Sequence, residues 1–62
     1  MTAIDHYFDV TRKAAARMRV RIATIYDQNT PLSEKGRQVV AAQDTYDRIE
    51  AKARTAYYNS KD

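Results

Sequence analysis

Cysteine and tryptophan are absent from this 62-residue chain, and glycine, proline, histidine and phenylalanine occur once each. Without cysteine no disulfide can staple the fold. A single histidine leaves a structural metal site, which takes three or four Cys and His ligands, without its ligand set. No uninterrupted apolar run approaches the roughly 20 residues that span a bilayer, so a membrane partner is not expected. The N-terminus lacks the basic start and apolar core of a secretory signal, and a cytoplasmic location is the simplest expectation. Neither a glycine-rich phosphate loop nor a nucleophile elbow occurs, so the sequence points away from catalysis and from any cofactor.

What the chain does contain is two apolar ladders. The first runs Ile4, Phe8, Thr11, Ala15, Met18, Ile22, Ile25, with steps alternating four and three. The second runs Leu32, Val39, Ala42, Tyr46, Ile49, Ala53, Ala56, with one rung missing near its start. Such steps keep a row of side chains on one side of a helix, as in the seam of a coiled coil. Between the ladders stands the one strong breaker, Asp27-Gln28-Asn29-Thr30-Pro31. Asn29 suits a left-handed cap, and the residue before a proline is biased out of the helical region. The spacing therefore predicts helices over about 3–28 and 31–58, a turn near 29–31 and a frayed tail at 59–62. Thr2 is the expected N-cap of the first helix, with Asp5 three residues on, and Thr30 that of the second, with Pro31 at its first position. A connection this short makes the helices antiparallel neighbours. The expected fold is all-α: a single domain over 1–62, built as a two-helix antiparallel, coiled-coil-like hairpin.

Size bears on assembly. A chain this short buries only about 60% of the surface its unfolded form exposes. Domains of this kind gain stability from oligomerisation or from very regular helix packing. Val40, Ala51 and Tyr58 form a second row on the second helix, rotated by about 120° from its seam. A row of that kind favours a partner, the simplest being a second copy, so that a homodimer forms a four-helix bundle. Five tyrosines strengthen the expectation of protein contact, since tyrosine supplies rigid interface area while its hydroxyl stays wet.

Charge supplies the remaining signal. Eleven Lys and Arg against eight Asp and Glu give a net charge of +3. Arg12, Lys13, Arg17, Arg19 and Arg21 cluster on the first helix with no acid among them, and guanidinium groups pair bidentately with phosphate or carboxylate. Asp9 lies three and four residues before Arg12 and Lys13, within reach of local pairing. On the second helix, Asp44, Asp47 and Glu50 alternate with Arg48, Lys52 and Arg54, a self-paired solvated face. Asp5, His6 and Asp9 imitate a short metal cluster but lack further ligands. Two functions follow as expectations. The first is a non-enzymatic interaction protein that docks onto a larger protein partner as a regulator, inhibitor or assembly factor, through Val40, Ala51, Tyr58, Arg17 and Arg21. The alternative is a small dimeric nucleic-acid-binding regulator using Arg12, Lys13, Arg17, Arg19 and Arg21.

Overall fold

The computed structural model describes residues 2–60 and contains two helices, α1 (Ala3–Asp27) and α2 (Leu32–Ser60), packed against each other. The all-helical hairpin expected from the two ladders is present. Helix α2 continues through Asn59 and Ser60, where a frayed tail was expected; the last two residues of that tail lie outside the described residues. The Cα trace extends over 49 × 16 × 6 Å, with a radius of gyration of 14.5 Å. A globular chain of equal length has a radius of gyration of roughly 11 Å.

Helix α1 starts with a complete capping box. Thr2 Oγ1 accepts from the Asp5 N–H at 3.2 Å, and the Asp5 carboxylate accepts from the Thr2 N–H at 3.4 Å. Two of the orphan amides at the helix start are thereby satisfied, with a negative charge at the positive end of the dipole. The helix ends without the left-handed residue expected at Asn29, since no described residue takes a positive φ. Gln28 instead turns extended and donates its N–H to the Ile25 carbonyl at 3.2 Å. No basic residue sits in the last turn of α1. The role falls to Lys35 of α2, whose ammonium donates to the Tyr26 carbonyl at 3.1 Å and places a cation at the negative helix end.

The start of α2 also differs from expectation. The Pro31 carbonyl accepts the first intrahelical bond, from the Lys35 N–H at 3.0 Å, so Pro31 stands at the N-cap position and Leu32 is the first helical residue. Thr30 lies one residue too early to cap it, and its Oγ1 is buried without a hydrogen-bond partner. Gly36 is in open space: a Cβ added there meets nothing within 4 Å. No close approach of another backbone explains this glycine.

The seam of α1 is shifted from the expected ladder over its first half. Ile4 and Phe8 are 38% and 60% exposed, whereas Tyr7 and Val10 are half-buried and Ala14 is buried. The observed row runs Tyr7, Val10, Ala14, Met18, Ile25, again in steps compatible with one helix face. Two features select it. Ala14 and Ala42 are both buried, and small residues facing each other let the helices approach closely. At the open end of the hairpin the Tyr7 ring lies 6.0 Å from that of Tyr57, and its hydroxyl reaches Glu50. On α2 the expected ladder is half-buried or buried from Val39 to Ala53, with Tyr46 half-buried within it, while Leu32 is 79% exposed and Ala56 is exposed. Among the described residues only Ala14, Ile25 and Ala42 are buried apolar side chains, so the hairpin has a seam rather than a core.

Candidate functional site

The two helices leave grooves on opposite sides of their seam, and these differ in chemistry. Measured around α1 from buried Ala14 at 100° per residue, Phe8 lies about 120° to one side, and Arg17 and Arg21 lie about 60° and 20° to the other.

On the Phe8 side an open groove of about 520 Å3 is lined by Phe8, Thr11 and Ala15 of α1 and Tyr46 of α2. Asp5, Asp9 and Arg12 edge it. Asp9 is committed locally: its carboxylate pairs with Lys13 at 3.0 Å and with Arg12 at 3.2 Å. The hydrogen bond from Lys13 is the largest influence, with Arg12 assisting, and together they hold the Asp9 carboxyl below its ordinary range despite partial burial. Asp5 serves the capping box. Asp5 and Asp9 are therefore committed to separate tasks, and among the described residues no three His, Cys, Asp or Glu side chains converge.

On the Arg17 side a groove of about 200 Å3 has Arg17, Met18 and Arg21 on one wall and Thr45, Tyr46 and Ile49 on the other. Ala14 and Ala42 form its floor. A second hollow of about 280 Å3 shares Ile49 and extends toward the open end past Val10 and Ala53 to His6, Lys52 and Ala56. Arg17, Arg19 and Arg21 are exposed and make no ion pair among the described residues. They contrast with Arg12 and Lys13, which share Asp9. The basic cluster thus splits into a half paired with Asp9 and an open half, and Arg17 and Arg21 line one groove.

The apolar residues singled out on α2 occupy another place. Val40 is two residues from buried Ala42, hence about 160° around the helix from the seam, and is 64% exposed. Ala51 is half-buried, and Tyr58 is 61% exposed with its ring 5.5 Å from that of Tyr57. These three do not line the groove of Arg17 and Arg21. Lys52 is the residue that sequence reasoning missed. It reads as one more member of an alternating charged helix, and only the pairing of α1 with α2 brings it to the same side as Arg17.

At the open end, Tyr7 Oη donates to Glu50 Oε2 at 2.7 Å, and Arg54 approaches the other Glu50 oxygen at 3.6 Å. The hydrogen bond to Glu50 is the main reason the Tyr7 hydroxyl titrates above its ordinary value, with desolvation adding to it. Among the described residues no helix is long and apolar enough to cross a membrane. Comparison with protein-family models, with curated proteins and with solved structures finds no match.

Proposed function

We propose that this protein is a non-enzymatic helical interaction module, in which two hairpins pair into a four-helix bundle that docks onto a larger macromolecular partner as a regulator, inhibitor or assembly factor. The observation that carries the reading is the surface left uncovered. The chain exposes 4888 Å2, against about 4,100 Å2 for a compact monomer of its mass. That excess of roughly 790 Å2 is close to the ~800 Å2 each partner contributes to a standard interface. The exposed apolar groups include Phe8 and Tyr26 on α1 and Val40 and Tyr58 on α2. The Phe8 face suits a second copy: it carries acids and a base together, so a two-fold mate does not meet a uniform field of its own sign. Arg17 and Arg21 then stay open for the larger partner.

The test is capture of partners from a native lysate by wild-type protein and by an Arg17→Glu/Arg21→Glu variant, each with and without nuclease. A stoichiometric protein that survives nuclease and is lost from the variant supports docking. Nucleic acid alone, removed by digestion, contradicts it.

A second reading is favoured by the unpaired state of Arg17, Arg19 and Arg21: a dimeric nucleic-acid-binding regulator. Here affinity falls steeply with salt, and Arg17→Ala lowers the salt slope by about one unit.

A further inference from the structure

The two hollows on the Arg17 side form one strip, because both are walled by Ile49. From His6 to Arg21 the strip follows 15 residues of α1, about 22 Å at 1.5 Å per residue. Its two edges belong to different helices and carry the same sign: Arg17 and Arg21 on α1, Lys52 on α2. No carboxylate lines either hollow. Between the edges the surface is apolar, with Val10, Met18, Ile49 and Ala53 half-buried along it.

We propose that this strip is the docking site for an acidic amphipathic helix of a partner protein, laid along the hairpin as a third helix. The proposal rests on the interaction-module reading and names its partner's chemistry. An apolar stripe at positions i, i+3, i+4 and i+7 covers the strip, while Glu or Asp on both flanks of that stripe meets the two cationic edges. The strip is about four helical turns long, enough for such a segment of roughly 15 residues.

Charge selects this occupant over two others. A second copy apposed through the same face sets Arg17, Arg21 and Lys52 against their own kind, and like-charge apposition is costly. The mixed-sign Phe8 face on the opposite side has no such penalty. A nucleic-acid backbone satisfies the cations but leaves the apolar floor between them facing phosphate and water, so burial of that floor contributes nothing.

The experiment uses the full chain and a synthetic, fluorescently labelled helix-forming peptide of about 16 residues, with leucines at i, i+3, i+4 and i+7 flanked by glutamates. Fluorescence anisotropy measures its affinity beside two controls: a scrambled peptide of equal charge without the apolar stripe, and a labelled duplex oligonucleotide. We expect the patterned peptide to bind at least tenfold more tightly than the scrambled one. We expect Arg17→Glu/Arg21→Glu to weaken it at least tenfold, and Lys52→Glu to weaken it by a smaller factor. Because all three side chains are exposed, the variants should keep wild-type helicity, and circular dichroism checks this. Equal binding of scrambled and patterned peptides overturns the proposal, as does binding of the oligonucleotide alone. A change in the hairpin's own association constant in the Arg17→Glu/Arg21→Glu variant also overturns it, because a second copy then occupies the strip. Failure of the peptide alone, with nuclease-resistant protein capture intact, removes the acidic-helix partner and leaves the interaction module. Loss of that capture as well removes the underlying reading.

Discussion

The Tyr7 hydroxyl donates to Glu50 Oε2 at 2.7 Å, joining positions 43 residues apart and setting the register of α1 against α2 at the open end of the hairpin. At the other end the Lys35 ammonium on the Tyr26 carbonyl does the same beside the turn. Between these two pins lie the buried alanines 14 and 42. A hairpin with so thin a seam depends on polar groups at its ends to choose one alignment among several of similar apolar burial.

Tyr7→Phe keeps the ring and removes the hydroxyl. Thermal denaturation by circular dichroism should show a lower midpoint, and Tyr7→Ala, which also loses the Tyr57 ring contact, a still lower one. The wild type carries a pH signature that Tyr7→Phe lacks. The folded-state pKa of Tyr7 lies above 10.0, so its contribution is complete below that value and disappears as pH rises through the raised pKa.

Asp9 behaves in the opposite sense. Its carboxyl is held below 3.8 mainly by the hydrogen bond from Lys13. Its contribution is therefore present above pH 3.8 and is lost as pH falls through the lowered value. Asp9→Asn should flatten that part of the acid titration of helicity, and high salt should shrink the difference between the two proteins.

Gly36→Ala should stabilise. The site is helical, φ is not positive, and the added methyl meets open space. The gain is about 0.5–1 kcal/mol, or roughly 4–8 °C in the midpoint per kcal/mol. No loss of partner binding is expected.

Ala42→Leu tests the close approach of the helices. Ala42 is 2% exposed, and extra methylenes must displace α1 or adopt strained rotamers. A cost of about 1–3 kcal/mol is expected by denaturant titration. Val40→Ala, on a side chain 64% exposed, should change the stability of the isolated hairpin by less than about 0.5 kcal/mol.

The break at Gln28–Pro31, the N-cap at Thr2 with an acid three residues on and the pairing of two helices were all legible as residue patterns. The seam of α1 was legible only from Met18 onward. Apolar residues stand at both 7 and 8, and at both 10 and 11 if threonine is admitted, so periodicity alone permits two stripes one residue apart. Partners on α2 decide between them: Glu50 and Tyr57 take Tyr7, and Ala42 lies with Ala14. The basic cluster was legible as composition, and Asp9 could be assigned to Arg12 and Lys13 by spacing. The union of Arg17 and Arg21 with Lys52 was not legible, because it depends on the alignment between two helices and no local spacing encodes it.

The first measurement is sedimentation equilibrium on the wild type and on Phe8→Glu over a wide concentration range. Phe8 is 60% exposed in the hairpin and lies outside the α1–α2 seam, which it meets through an edge contact with the Tyr7 ring, centroids 5.5 Å apart. We expect the wild type to reach twice its 7.2 kDa chain mass, and Phe8→Glu to remain monomeric with reduced thermal stability. A wild type that stays at 7.2 kDa, fully helical and with a midpoint independent of concentration, would contradict the paired-hairpin assembly.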